Sequence, residues 1–448
     1  MASVRYQKIP DAETESPITI SLEKNEEHKA NEAMSQLVIT KEDDNASCVE
    51  AIMIGEEDDI VEDEIKKSLE TGDLGKALEA ISRSIREIEN TPLHIAVTGE
   101  AGAGKSTFIN VIRGLEDDEE EGAAKTGVVE CTTEPTPYPH PVYKNVIFWD
   151  LPGVGTSNFK ANEYLEIVNF KSYDFFIIMA SERFRLNNAK LAEEIQMMGK
   201  KFYFVRTKVD SELLASKKRK KSTFNEEKVL QEIRDDCIQS LCKVGIQEPR
   251  VFLLSCLELD KYDFGLMQEI LESELPSNKR HVFLISLPNV IIPIVQKKRD
   301  MLKKLTWKFA LLSCGIAIFE DSDKSLKCDI TILVTAVMLY QKAFGLDQDS
   351  LEKLARQFDK NVDDLKLVIR SPLALQKINA GLIKSHLSRS GVETLMKVEY
   401  VLGLIPLIGA LPAGGLSFAS TYKMLNGVLK DFAEDAESVL NKAMESSD

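Results

Sequence analysis

The distribution of apolar and polar residues divides the 448-residue chain into three parts. Residues 1–60 are polar and acidic, and because such a segment buries little apolar surface, we expect it to be disordered. Residues 61–91 carry apolar side chains at spacings of three and four, which predicts helices. From residue 92 to 276 apolar runs alternate with helical patterns, whereas residues 277–445 show the helical pattern alone.

The alternating region predicts six strands and five helices. The strands are expected at 93–98, 128–134, 145–149, 173–180, 202–206 and 250–255. The helices are expected at 105–113, 161–171, 186–198, 224–243 and 264–274. Strands that are apolar throughout suit a mainly parallel sheet that is covered by helices on both faces.

The C-terminal region predicts six helices. They are expected at 289–310, 326–345, 349–358, 361–370, 376–400 and 417–444. The predicted fold is therefore an α/β domain at 92–276 and an all-helical domain, built from the N-terminal helices at 61–91 and the C-terminal segment at 277–445.

Two stretches near the C-terminus allow alternatives. Residues 401–419 are apolar, but two prolines and four glycines divide them, so a buried helical hairpin competes with membrane insertion. Residues 376–399 are amphipathic, and a helix facing the core competes with one lying on a membrane surface. The basic run 217–221 is expected in an exposed loop.

The net charge and the spacing of the cysteines narrow the range of possible functions. The net charge is −16, and the first 64 residues hold eighteen acidic against five basic residues, so the acidity is concentrated in the tail. An acidic chain argues against nucleic-acid partners. Seven cysteines show neither disulfide nor zinc spacing, which is typical of a reduced, cytoplasmic protein.

One motif carries most of the functional information. The consecutive residues are Gly99, Glu100, Ala101, Gly102, Ala103, Gly104, Lys105 and Ser106, and they fit G-x-x-x-x-G-K-[ST] between a predicted strand and a predicted helix. The backbone N–H groups of such a loop surround phosphates, and we expect Thr107, the next residue, to take part in this binding. Lys105 would reach the β- and γ-phosphates, and Ser106 would bind Mg²⁺.

Two further motifs follow predicted strands. Asp150 and Gly153 fit D-x-x-G, in which the aspartate binds Mg²⁺ through water and the glycine N–H contacts the γ-phosphate. A plain Pro-Gly turn is the alternative, but the position 45 residues after Lys105 favours the nucleotide role.

Thr207, Lys208 and Asp210 fit [NT]-K-x-D. The aspartate would accept hydrogen bonds from guanine N1 and N2, which adenine does not offer as a pair. Ser255 ends the next predicted strand and is a weaker candidate for a contact near guanine O6. The predicted ligands are therefore GTP or GDP with Mg²⁺, and an ATPase or small-molecule kinase is disfavoured.

A threonine between the first two motifs should complete the Mg²⁺ site. We choose Thr126, with Thr132 and Thr133 as competitors. Val154 occupies the position where many GTPases have a glutamine that orients water. Because valine forms no hydrogen bond to water, we expect slow hydrolysis by the isolated protein.

The motifs and the residues around them resemble the immunity-related, interferon-inducible GTPases of the lysine type. The resemblance lies in residues 119–130, 148–153, 173–178, 202–210, 252–255, 262–264, 279–281, 286–289, 344–345 and 354–356, and it covers roughly residues 62–440. It implies a dynamin-like GTPase that pairs across the nucleotide face, with Glu130 and Thr132 in the segment that faces the partner. It also implies related GTPases and intracellular membranes, bound peripherally, as partners.

Two functional hypotheses follow. The first is an enzyme that hydrolyses GTP and is activated by self-association, with Lys105, Thr126, Gly153 and Glu130 as catalytic residues. The second is a nucleotide-gated scaffold with negligible turnover. The dependence of specific activity on protein concentration separates them.

Overall fold

The computed structural model describes residues 56–116, 121–127, 132, 134–153, 161–182, 184–319, 322–390 and 414–445. Its centre is a six-stranded sheet in the order β2-β3-β1-β4-β5-β6. The strands are β1 (Leu93–Gly99), β2 (Thr136–Pro139), β3 (Val146–Asp150), β4 (Phe175–Ala180), β5 (Lys201–Arg206) and β6 (Val251–Leu253). Within it β2 runs antiparallel to β3, and the other pairs are parallel.

Helices cover both faces of the sheet. They are α3 (Lys105–Ile112), α4 (Ala161–Ile167), α5 (Leu186–Met197), α6 (Val209–Arg219), α7 (Glu226–Lys243) and α8 (Phe264–Glu274), with a 3₁₀ turn at Phe170–Ser172. One face buries Phe176 and Phe204 beneath α4, α5 and α7. The other buries Phe148 and Phe252 in a core that continues into the helical part of the molecule. Burial on both faces explains why the strands are apolar throughout.

The helical part combines both ends of the described chain. Its helices are α1 (Glu56–Glu70), α2 (Leu74–Asn90), α9 (Ser277–Ser286), α10 (Ile292–Phe319), α11 (Ser322–Ala343), α12 (Gln348–Gln357), α13 (Val362–Leu367), α14 (Ala380–Ser390) and α15 (Gly414–Met444). The long α10 packs against α11, α15 and α2. Lys308 on α10 donates a hydrogen bond of 2.9 Å to Ser84 on α2. These contacts confirm the predicted fold class, while the domain boundaries stay predictions.

Hydrogen bonds from side chains cap the N-termini of several helices. The Asp73 carboxylate accepts from the Lys76 N–H at the start of α2, and Asp347 does the same for the Ser350 N–H at α12. Such caps satisfy N–H groups that lack intrahelical partners. On α15 the buried Asp435 accepts from the N–H groups of Arg370 and Ser371, at 2.8 and 2.9 Å, which ties the segment after α13 to this helix.

Two sequence expectations need correction. The antiparallel strand is at Thr136–Pro139, whereas most of the predicted strand 128–134 lies outside the described residues. The prolines in β2 argue against a central strand, but an edge position tolerates them. The second correction concerns Lys217–Arg219, which form the last turn of α6 and not a loop. Cations at that end of a helix are favoured by its dipole.

Among the described residues, one helical segment, Ile330–Gln357, contains a window that is apolar enough to cross a membrane. Half of that window is buried, and the core helix of a soluble protein passes the same test of length and composition. Residues 391–413 lie outside the described part of the chain, and they include 401–413 of the apolar stretch and 391–399 of the amphipathic one.

Candidate functional site: a guanine-nucleotide edge

The phosphate loop, residues 99–106, connects β1 to α3 through glycines that the geometry requires. Gly99 has φ +135°, and a Cβ there would lie 2.0 Å from the Met179 carbonyl oxygen of β4. Gly104 has φ +85° and immediately precedes α3. Glycine adopts these conformations without steric cost. The loop therefore presents backbone N–H groups and a helix N-terminus at the carboxyl edge of the sheet.

Lys105 lies within this loop. Its side chain is buried, and Nζ donates hydrogen bonds to the carbonyl oxygens of Glu100 at 3.1 Å and Gly99 at 3.4 Å. These contacts hold the ammonium across the loop that the motif assigns to phosphates. The position suits the charge neutralisation expected of Lys105.

A second cluster lies where β3 ends beside α3. The buried Asp150 accepts hydrogen bonds at Oδ2 from the hydroxyls of Ser106 at 2.6 Å and Thr132 at 3.0 Å. Its Oδ1 is also buried and has no hydrogen-bond partner among the described residues. Carboxylate and hydroxyl oxygens are ligands that Mg²⁺ accepts, and a cation would satisfy the orphaned oxygen. The residues present therefore fit a magnesium site.

The base loop, residues 207–210, is joined directly to the phosphate loop. The Thr207 hydroxyl donates to the Ala103 carbonyl oxygen at 2.8 Å, and the Thr207 N–H donates to the Ala180 carbonyl oxygen at 2.8 Å. Lys208 has φ +57° and precedes α6, on whose first turn Asp210 lies half-buried. The hydroxyl of Thr207 thus fixes the distance between the loop for phosphates and the loop for the base.

Ser255 follows β6 at the same edge of the sheet. Its side chain is buried, and its Oγ accepts a hydrogen bond of 3.2 Å from the Leu257 N–H. This bond shapes the turn after β6, which lies next to β5 and hence to the base loop. The three motifs and Ser255 therefore share one edge of the sheet, as expected for parallel strands that end in ligand-binding loops.

Comparison with known proteins agrees with this geometry. The family model described as Interferon-inducible GTPase (IIGP) matches residues 58–443. The chain belongs to the interferon-inducible GTPase family. It is 42% identical over 381 residues to Interferon-inducible GTPase 5 of Rattus norvegicus, covering 85% of this chain and 82% of that protein. It is 43% identical over 338 residues to Interferon-inducible GTPase 1 of Mus musculus, covering 75% and 82%. The resemblance found in the sequence is thereby confirmed, and guanine-nucleotide binding follows from it.

In this interferon-inducible GTPase the hydroxyl of Thr132, one of the two competitors named above, contacts Asp150, whereas Thr126 lies apart from that carboxylate. Which threonine binds Mg²⁺ stays a prediction. Thr126 is exposed, and the described hydroxyls that donate to Asp150 are those of Ser106 and Thr132. The cause lies in Asn110 of α3, which exchanges two hydrogen bonds, of 2.9 and 2.6 Å, with the backbone of Ala124. This exchange holds the 121–127 segment beside the C-terminal half of α3, away from its N-terminal end.

Glu100 has a role that the motif does not specify. Its side chain is buried, with Asn188 Nδ2 at 3.3 Å from Oε1 and Arg185 Nε at 3.3 Å from Oε2. Burial raises the pKa of the Glu100 carboxyl, and the charge of Arg185 opposes that rise. These contacts tie the phosphate loop to the start of α5, a link between distant residues that no local motif indicates.

Tyr164 is another residue that the sequence did not indicate. Its buried hydroxyl donates to the Pro152 carbonyl oxygen at 2.9 Å and lies 2.8 Å from the Thr98 hydroxyl. Burial raises the pKa of Tyr164, so the hydroxyl remains a donor at neutral pH. The D-x-x-G turn is thereby fastened to the end of β1. Gly153 lies half-buried in that turn, whereas Glu130, Thr133 and Val154 lie outside the described residues.

Proposed function

We propose that this member of the family hydrolyses GTP to GDP and phosphate, slowly as a single protomer and faster after GTP-dependent pairing. The observation that carries the proposal is the cluster at Asp150, where two hydroxyls converge on one carboxylate oxygen and the other oxygen is buried without a partner. Because most buried polar atoms in native proteins are paired, this oxygen is consistent with a site that an ion or a water completes.

The residues of the site have different roles in the proposed hydrolysis of GTP. The phosphate-loop N–H groups and Lys105 bind the β- and γ-phosphates, and Ser106, Thr132 and Asp150 would hold Mg²⁺. When bound there, Mg²⁺ would supply positive charge against the phosphate oxygens. The Gly153 N–H contacts the γ-phosphate, and because Tyr164 holds the neighbouring Pro152, this donor is positioned before GTP binds. Asp210 reads the guanine edge.

Pairing is inferred from what the site lacks. Val154 cannot orient water, so a group outside this loop has to complete catalysis. A second protomer facing the nucleotide edge would supply it, and Glu130 is our candidate for a residue of that interface. Action at intracellular membranes in cell-autonomous immunity, together with related GTPases, is proposed from family membership.

The test is phosphate release from GTP at several protein concentrations. We expect the specific rate to rise with concentration in the wild type and to vanish in Lys105→Ala. The matched control is Lys243→Ala, which changes an exposed lysine at the end of α7 and should behave like the wild type.

The same experiment addresses the alternative function. A rate that stays flat near zero while GTP still binds would support a nucleotide-gated scaffold, an alternative that Val154 keeps open. A rate that Lys105→Ala leaves unchanged would refute the assignment of the phosphate loop as the catalytic site.

A further inference from the structure

A cavity of about 450 Å³ lies between the sheet domain and the helical domain. Its walls come from α3, from the turn between β2 and β3, and from α9, α10, α12 and α15. Small-ligand sites typically have volumes of about 300–1,000 Å³ and often lie between domains. In size and place the cavity therefore matches a ligand site.

The cavity is separate from the nucleotide edge. Its lining includes neither residues 99–106, nor Asp150, nor residues 207–210. It approaches that edge through Thr107, which follows the phosphate loop, and through Cys256, which follows Ser255. A ligand in the cavity would occupy space that GTP does not need.

Two buried polar atoms in the wall have no hydrogen-bond partner among the described residues. They are Tyr143 Oη and Asn289 Oδ1. Most buried polar groups in native proteins are paired, so such atoms call for an explanation. Asn289 uses its other amide atom, Nδ2, to donate to the Ala343 carbonyl oxygen at 3.1 Å. The side chain is thus held in place with its acceptor unsatisfied.

Lys298 adds a buried amine to the same wall. It is 1% exposed and donates to the carbonyl oxygens of Leu287 at 2.6 Å and Ala343 at 2.9 Å, at the ends of α9 and α11. An ammonium has three donors, and these carbonyls account for two. Burial lowers the pKa of Lys298 to about 7, and a nearby anion would counter that effect.

The remaining charges of the lining are mostly positive. Five basic residues line the cavity, Arg113, Lys298, Lys342, Lys353 and Arg356, against a single acidic one, Glu116. The buried His140 adds no charge near neutral pH, because burial and then the charge of Lys298 lower its pKa to about 3. Its Nδ1 accepts from the N–H groups of Val142 and Tyr143, which requires the unprotonated nitrogen. Such a lining favours an anion.

Apolar side chains complete the walls. They are Val111, Leu115, Val142, Ile285, Leu287 and Val290. We propose that this cavity is a binding site for a small amphipathic anion, whose acidic group is held by the basic lining and whose apolar body packs between the two domains.

The probe is 8-anilinonaphthalene-1-sulfonate, an amphipathic anion whose fluorescence rises in apolar sites. We expect saturable binding by the full-length protein, displaced by octanoate but not by the neutral octan-1-ol. Removing two charges at the cavity in Lys342→Met/Lys353→Met should weaken binding roughly tenfold, or about 1.4 kcal/mol. In Val142→Trp, a ring at the cavity mouth should block entry; Val142 is 47% exposed, so the larger ring can be accommodated.

The control is Lys303→Met, which removes an exposed charge from α10, the helix that carries Lys298. It should bind the probe like the wild type. Equal displacement by octanoate and octan-1-ol, or unchanged probe affinity in both the lysine double variant and Val142→Trp, would overturn the proposal. Thermal unfolding of every variant establishes that it is folded before binding is compared.

Discussion

The two ends of the nucleotide edge differ in how completely their polar groups are satisfied. At the base end Thr207 donates to the phosphate loop and Ser255 accepts from the Leu257 N–H. At the metal end two hydroxyls converge on Asp150, and one oxygen of that buried carboxylate has no partner among the described residues. The base end is thus pre-organised by the protein alone, whereas the metal end depends on what binds there.

This difference indicates where each ligand should have its largest effect. Guanine binding requires little rearrangement, because the loops that surround it are already joined by hydrogen bonds. Magnesium and the γ-phosphate should instead stabilise the metal end, since they satisfy a group that otherwise raises the free energy of the folded protein.

The largest effect is expected from Asp210→Asn, which tests the base end. Replacing the carboxylate sets an amide donor against the guanine 2-amino group, and GTP affinity should fall by roughly a thousandfold, or about 4 kcal/mol. Xanthosine triphosphate, which has a carbonyl at that position, should bind the variant better than GTP. The measurement is equilibrium binding of both nucleotides.

The exposed Asp349 on α12 provides the control. Asp349→Asn should leave both affinities unchanged. Full GTP affinity in Asp210→Asn would show that the base is read elsewhere.

A matched pair of threonines tests the metal end. Thr132→Ala removes a hydroxyl that contacts Asp150, and the rate of GTP hydrolysis at limiting Mg²⁺ should fall roughly 10- to 100-fold, as expected for loss of an interaction with a charged group. Thr126→Ala alters an exposed side chain and should change the rate less than about twofold. A magnesium titration of hydrolysis distinguishes them, and the reverse ranking would restore Thr126 to the site.

The smallest effect is expected from Thr207→Val, which sharpens the contrast between the two ends. The substitution keeps the shape of the side chain but removes the hydrogen bond to Ala103. GDP should bind roughly fivefold more weakly, in line with a contribution of about 1 kcal/mol. The Mg²⁺ concentration that supports half-maximal hydrolysis should stay constant. A shift in that concentration would mean that the two ends are coupled more tightly than the contacts indicate.

The residues best predicted from sequence belong to short, contiguous motifs. The phosphate loop needs Gly99 and Gly104 because of local backbone geometry, and local geometry leaves a local pattern. The order of strands and helices could also be predicted, because strands that are buried on both faces of a sheet consist of apolar runs. The family was indicated by the resemblance of the residues in and around these motifs, and the family model confirmed it.

What the sequence did not reveal depends on contacts between distant residues. The separation of Thr126 from Asp150 depends on Asn110, which binds the backbone of Ala124. Tyr164 on α4 reaches Pro152 in the turn after β3, and nothing near Tyr164 in the sequence marks that role. Contacts between side chains that lie far apart in the chain produce no periodic pattern in the sequence, so this part of the site is seen only in the structure.

The edges of the sheet bear on how copies of this protein associate. Two of the four residues of β2, Pro137 and Pro139, have no N–H group, and β6 at the opposite edge is only three residues long. A strand from another molecule would therefore meet few N–H donors at the β2 edge and only a short strand at the β6 edge. Assembly by strand addition, the route that leads to fibres, is discouraged by the backbone itself. The GTP-dependent pairing that we propose would therefore use surfaces other than the two edges of the sheet.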